Sequence, residues 1–391
     1  MVSVPIFFKE ETSDMVKRNL LLLIVLLMFT SMAWSATVQE KFDHAALARK
    51  AGNITDAIAG YEAVIADPAS SMQMKARSQS EIGYCLMDVS RYDDAAAAFG
   101  KALTGYSDLG EDLVDYQRAK SFALRMGQHY TEALSELQAI VSKYKDSARF
   151  KTFSASNVQH EIGILLLDLG KTDEALATLR NVPLISPVVS TDALQGSQYN
   201  ISKIYMLQGK TEQALFEAKV LYNICPLDRL NTAFDQVTAV LKGIDFNLAR
   251  ADEFMLYQKC GSAGKDGTSG TADDLVNPLA GVSNKESGRN EIYISAIKKS
   301  GDSYNDLRLK GYLLLLCDKT KDAIPVFKQA FVVAGAGEID IAVKDMAAAI
   351  KALDGSPIRA NIFLQSQKEP FGPDGIKGTA DDPPDILKEL Q

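Results

Sequence analysis

Residues 161–187 read EIGILLLDLGKTDEALATLRNVPLISP, and this stretch decides the fold. Gly163, Leu166 and Leu167 put one small and two apolar residues on a single helical face. Ala175, Leu179 and Val182 follow at i, i+4 and i+7, the spacing of a second buried stripe. Between them Gly170 suits the left-handed conformation that ends a helix, and Thr172 is placed to cap the next helix through its hydroxyl oxygen. Small residues at Gly163 and Ala175 let two backbones approach closely, and Pro187 ends the unit. Two short helices cannot bury both stripes alone, so the stretch predicts stacked neighbours.

Those neighbours align on an Ala near the start of each second helix: Ala57, Ala95, Ala133, Ala175, Ala214 and Ala323. Four residues later stand Tyr61, Phe99, Leu137, Leu179, Ala218 and Phe327, and twelve residues earlier four units carry Gly83, Gly163, Ser202 and Gly311. Turn residues are expected at Gly52, Gly127, Gly170 and Gly209, with Ser90 and Asp318 standing in elsewhere. Thr55, Thr131, Thr172, Thr211 and Thr320 recur as expected caps, with Asp93 in the second unit. The clearest units are 76–107, 156–187, 195–226 and 304–335, and 38–69 and 114–145 follow the pattern more loosely.

This set of positions resembles the tetratricopeptide repeat over about half the chain, without the usual large aromatic early in the first helix. The resemblance implies an all-α fold, a right-handed superhelix of antiparallel helix-turn-helix repeats. It also implies a concave face that binds a peptide or protein. By the family pattern the first-helix positions on that face include Tyr84, Met87, Phe122, His160, Ile164, Tyr199, Lys203, Met206, Arg308 and Tyr312. Aromatic and Met side chains with scattered bases suit a helical or extended peptide, and packing against the adjacent repeat is the competing use of each.

A longer period overlies the short one. Lys242, Asp245, Arg250, Phe254 and Gln258 recur 109 residues later as Lys351, Asp354, Arg359, Phe363 and Gln367. A module of one repeat, a further helix pair and a loop is therefore duplicated, over about 196–283 and about 305–391. The expected organisation is a leader over 1–36, repeats over 38–226 and a helix pair with an Asp/Gly loop over 227–283. A helix and further repeat follow over 284–335, then the duplicated pair and loop over 336–391.

The two loops carry nearly the same text, DGTSGTADD at 266–274 and DGIKGTADD at 374–382. Calcium takes hard carboxylate and carbonyl oxygens on tightly curled backbone, and Asp266, Asp273, Asp274, Asp374, Asp381 and Asp382 could supply three carboxylates per loop. The spacing lacks the alternating acids and terminal Glu of an EF-hand. It resembles the Asp/Gly-rich calcium repeats of extracellular proteins, in shorter form. Solvated turns capped by Asp and Thr explain the same text, and the choice between calcium and plain turn stays open at this point.

The 391 residues are 47% apolar and carry a net charge of −8, with pI about 5.1. That balance argues against a general nucleic-acid binder. Lys17 and Arg18 precede an apolar run over 20–29 and the small-residue zone Ala33 to Ala36. This is the order of a secretory signal beginning at Met15 and cut after Ser35. The run is short of the ~20 residues of a membrane span. A periplasmic or secreted location is expected, with an uncleaved membrane anchor as the alternative. Cys85, Cys225, Cys260 and Cys317 form no C-x-x-C pair, and a Cys225–Cys260 bridge stays open. His44, His129 and His160 have no acid or Cys at ligand spacing, and no nucleophile or phosphate-loop motif occurs. The expectation is a non-enzymatic scaffold for another protein or peptide. The alternative is a calcium-stiffened structural component of the envelope or cell surface.

Overall fold

The close approach of two helices expected at Gly163 and Ala175 is present in the computed structural model. It describes residues 37–390 apart from 187, 246–248, 284–288, 371–376, 378 and 380–381. The expected leader, Asp374 and Asp381 lie outside the described residues. All regular elements among the described residues are helices, and none is long and apolar enough to cross a membrane.

The chain divides into two compact units, 1–109 and 110–391. In the first, α1 (Val38–Lys50) pairs with α2 (Ile54–Ala66), and α3 (Met72–Asp88) pairs with α4 (Tyr92–Gly105). The second opens with α5 (Val114–Met126) against α6 (Tyr130–Tyr144), followed by the short α7 (Ala148–Phe153). Next come α8 (Ala155–Asp168) with α9 (Thr172–Ile185), and α10 (Thr191–Leu207) with α11 (Thr211–Ile224). Then α12 (Leu230–Asp245) packs on α13 (Ala249–Cys260). After the first Asp/Gly loop come α14 (Arg289–Lys299), α15 (Tyr304–Leu316) with α16 (Thr320–Val333), α17 (Ile339–Asp354) with α18 (Ile358–Lys368), and the terminal α19 (Ile386–Glu389). All six repeats expected from the sequence are hairpins of successive helices.

Three hairpins close on a glycine facing a large side chain, Gly83 against Phe99, Gly163 against Leu179 and Gly311 against Phe327. A Cβ at Gly163 would stand 2.5 Å from the Leu179 side chain, and one at Gly311 would stand 2.5 Å from the Phe327 ring. Ser202 and Ala218 hold the matching positions in the fifth hairpin, and both are buried. The repeat Ala residues sit beside these contacts with no exposed surface.

The hairpin turns share one hydrogen-bond pattern. Lys171 N–H donates to Leu166 O (2.8 Å) and Gly170 N–H to Leu167 O (2.9 Å), with Gly170 left-handed at φ 74°. This is the Schellman ending. The left-handed residue is always five positions before the repeat Ala, at Gly52, Ser90, Gln128, Gly170, Gly209 and Asp318. Two sequence expectations are corrected here. In the third hairpin Gln128, not Gly127, takes the left-handed conformation, because His129 N–H reaches Leu124 O and sets the register. The threonines are not caps: Thr172, Thr211 and Thr320 are the first helical residues, preceded by lysines with no side-chain cap bond.

The 109-residue duplication is visible in the helix starts. Thr211, Leu230 and Ala249 of α11, α12 and α13 correspond to Thr320, Ile339 and Ile358 of α16, α17 and α18. Both modules keep the same ion pair at the helix-pair turn, Arg250 with Asp245 (3.1 Å) and Arg359 with Asp354 (2.9 Å). The second module does not simply continue the stack. Its first helices α15 and α17 pack on α11 of the first module, and Phe216, Val220 and Ile224 share one core with Leu315, Met346 and Ile350.

Candidate functional site

The expected groove residues are divided between the two units. In the first unit Tyr84 and Met87 are half-buried. The Tyr84 ring meets Phe99 edge-on at 5.0 Å and carries the Arg49 guanidinium at 5.4 Å. Arg49 is held by Glu81 (2.8 Å) and Asp88 (2.7 Å) of α3.

In the second unit Phe122, His160 and Ile164 come together. Phe122 stands on α5, His160 and Ile164 stand on α8, and with Ser121, Arg125, Glu161 and Leu165 they line a cleft of about 210 Å³. The cleft exists because both helices are first helices of neighbouring hairpins. Their stripes at Leu124 and Leu165 turn inward to the core and leave Phe122 51% exposed at the mouth. Two ion pairs span α5 and α8, Arg118 with Glu161 (2.5 Å) and Arg125 with Asp168 (2.5 Å). Ser121, buried at the floor, donates to the Ala133 carbonyl (2.8 Å).

His160 is fixed from the far side. Its Nδ1 lies 3.0 Å from Ser197 Oγ on α10, and its ring lies against Gly196, where a Cβ would stand 2.7 Å away. Burial, reinforced by Arg125 and Arg118, pushes its pKa down to about 4. The imidazole is therefore neutral near pH 7 and serves as packing and as a hydrogen-bonding group. The cleft offers an exposed aromatic ring and an aliphatic wall between fixed charges.

Tyr199, Lys203 and Met206 lie on α10, half-buried. The Lys203 ammonium stands 5.5 Å from the Tyr199 ring centroid, and the Met206 sulfur packs on Gly243 of α12. Arg308 and Tyr312 are not groove residues. Both are buried, Tyr312 O–H donates to Asp345 Oδ1 (2.6 Å), and Arg308 donates to both oxygens of Asp345 on α17. The physical reason is the docking of the second module, which seats this face of α15 and α17 on α11.

The acids of the first Asp/Gly loop are engaged locally. Asp273 Oδ2 accepts from the N–H groups of Lys265 (2.7 Å) and Asp266 (3.1 Å), and Oδ1 accepts from the Thr271 hydroxyl (2.8 Å). Asp266 accepts from Thr268 N–H and Asp274 from Gly270 N–H, both at 2.7 Å. The Thr271 hydroxyl and these backbone bonds hold Asp273 below the usual carboxylate range. As placed, the carboxylates face the loop's own donors. Among the described residues no three His, Cys, Asp or Glu gather as a metal site. Asp382 repeats one turn of this loop, its N–H donating to Thr379 O at 3.3 Å as Asp274 N–H does to Thr271 O. The loop also docks: Asn277 Nδ2 donates to Gly355 O (3.4 Å), and Gln258 joins the Tyr222 hydroxyl (2.6 Å) to the same carbonyl (3.2 Å). The four cysteines are free thiols, so Cys225 and Cys260 are unbridged.

Sequence reading missed Ser121 and the α5–α8 ion pairs. A signal for the pairs was present: Arg118 and Arg125 are seven apart on one helix, as Glu161 and Asp168 are on the next. That spacing puts like charges on one face of each helix.

No protein-family model and no curated protein matches this chain. Solved structures of helical repeats are similar to it. A tetratricopeptide repeat protein from Parabacteroides merdae is 10% identical over 80% of this chain and 98% of its own, with TM-score 0.41. A Rap protein complexed with competence and sporulation factor is 14% identical over 84% of this chain and 79% of its own, with TM-score 0.35. The P58(IPK) TPR domain is 14% identical over 85% of this chain and all of its own, with TM-score 0.23. The hairpin-repeat fold of this chain rests on the helix order and turns described above.

Proposed function

We propose that this chain is a non-enzymatic, exported scaffold that binds a protein or peptide at the α5–α8 cleft. The observation that carries the reading is Phe122, a large aromatic held half in solvent beside a cleft of about 210 Å³ with Ile164 as its wall. Paired charges at Arg125–Asp168 and Arg118–Glu161 fix the rim before any partner arrives, which lowers the ordering cost of binding. A peptide library displayed on phage, panned on the purified chain and on its Phe122→Ala variant, tests this. Selected peptides should carry an apolar anchor and bind the variant about tenfold or more weakly, a loss of about 1.4 kcal/mol or more. Equal recovery on both proteins would overturn the assignment of the cleft.

Export rests on the charged, apolar and small-residue order of residues 17–36. N-terminal sequencing of the protein recovered from its producing cells should start at Ala36; a start at Met1 or Met15 removes the cleaved-signal reading, and recovery of that uncleaved chain in the cytosolic fraction removes export. The calcium-stiffened alternative draws no support from the placement of Asp266, Asp273 and Asp274, whose oxygens already accept from the loop.

A further inference from the structure

We infer that this chain associates head to tail with a second copy of itself, the α10–α12 face of one copy seating on the outer face of α16 of the next. The argument comes from an interface that the chain already makes internally. The duplicated modules present the same two surfaces each, a receiving face on the second helix and a seating face on the two first helices. Inside the chain, one receiving face and one seating face are used against each other, and the remaining two are left open.

The used receiving face is the outer side of α11. Phe216, Val220, Asn223 and Ile224 are buried there beneath α15 and α17. Their counterparts 109 residues on are Pro325, Gln329, Val332 and Val333 of α16, and all four are exposed. Val332 reaches 80% and Val333 46%, although both are apolar. The helix ends match as well, with Cys225 (φ −72°, ψ 127°) and Ala334 (φ −60°, ψ 130°) extended in the same way.

The used seating face lies on α15 and α17. Leu316, Ala348 and Lys351 are buried on it, and the Lys351 ammonium closes the contact on the carbonyls of Tyr222 and Cys225. Their counterparts in the first module are Leu207, Ala239 and Lys242, and all three are exposed, Leu207 at 72%. Lys242 stands where an ammonium would meet the carbonyls of Phe331 and Ala334 of another copy. Large apolar residues left this exposed on both halves of a surface pair that is buried elsewhere in the same molecule mark an interaction site. A contact between two different surfaces is heterologous, and it propagates unless its rotation closes a ring.

This inference does not use the α5–α8 cleft, and either can fail alone. The experiment is sedimentation velocity on the purified full chain and on Leu207→Asp and Val332→Asp, alone and mixed. The side chains replaced are exposed, so both variants should keep the wild-type helical circular dichroism and melting curve. The wild-type chain should show mass rising with concentration beyond the monomer. Each variant alone should stay at least tenfold less associated, because one half of the contact is lost. The equimolar mixture should give a species that stops at the dimer, since one intact Leu207 face meets one intact Val332 face. A wild-type chain that stays monomeric, variants that assemble as the wild type does, or a mixture without dimer would each overturn the proposal. So would a monomeric chain whose Leu207 face captures a helix of a different protein.

Discussion

Lys351 donates a 2.7 Å hydrogen bond to the carbonyl oxygen of Cys225, tying α17 to the end of α11 across 126 residues of chain. The ammonium also donates to the Tyr222 carbonyl and lies 4.2 Å from the Tyr222 ring centroid, with no exposed surface. A charge so placed trades its hydration for two carbonyls and a ring face. Its counterpart Lys242 on α12 is exposed and keeps its hydration.

That burial pushes the Lys351 pKa down to about 8. The unfolded chain then holds more protons than the folded one between about 8 and 10.5, so stability rises with pH across that window. From pH 7 to 9.5 the wild type should gain about 2 kcal/mol relative to Lys351→Met, read from denaturant midpoints. Tyr222 and Tyr312 hold their phenols protonated above the usual range through burial, which reverses the slope at higher pH, so the comparison ends at 9.5. Parallel curves for the two proteins would show that Lys351 titrates normally.

His160 gives the opposite end of the pH range. With its folded pKa near 4 and an unfolded value near 6.5, its contribution is complete above pH 6.5 and is lost as pH falls toward 4. Between pH 7 and 4.5 the wild type should lose about 1–2 kcal/mol more than His160→Gln, after discounting for partial exposure. Thermal melts at the two pH values check it, and equal losses would place the acid sensitivity elsewhere.

Gln128 occupies a left-handed turn position (φ 66°) that Gly170 fills in the fourth hairpin. The left-handed conformation costs a side-chain residue ~1–2 kcal/mol, partly offset by the entropy glycine loses on folding. Gln128→Gly should therefore stabilise by about 0.5–1 kcal/mol, and Gly170→Ala should destabilise by about 1 kcal/mol. A lower melting point for Gln128→Gly would mean that its side chain contributes more than the turn costs.

In the first Asp/Gly loop Asp273 ties Lys265, Asp266 and Thr271 together. Asp273→Ala should lower the melting midpoint and loosen hydrogen exchange of the Lys265 and Asp266 amides, with or without calcium. Millimolar calcium should leave the wild-type midpoint unmoved. A calcium-dependent rise that Asp273→Ala abolishes would restore the loop as a cation site.

The repeats were legible because their signals are local. Small residues at Gly163 and Gly311 face Leu179 and Phe327 within a single hairpin, and a period of 3.6 residues places them there whatever the rest of the chain does. The cleft was partly legible: Phe122, His160 and Ile164 follow from the first-helix positions. Ser121 and the Arg–acid pairs depend on which residues of α5 and α8 meet across a gap of 43 residues.

The sequence by itself determined the helical hairpins, their order and the duplication at 109 residues, since helix periodicity, close small–large contacts and copied text are all written along the chain. Only the tertiary structure decided which faces stay open. Arg308 and Tyr312 occupy the same register as Tyr199 and Lys203, yet the first pair is buried on Asp345 and the second pair is only half-buried. The difference comes from α15 and α17 folding back onto α11, a contact between helices roughly 100 residues apart. Periodicity reports that a face is apolar, but not what will cover it.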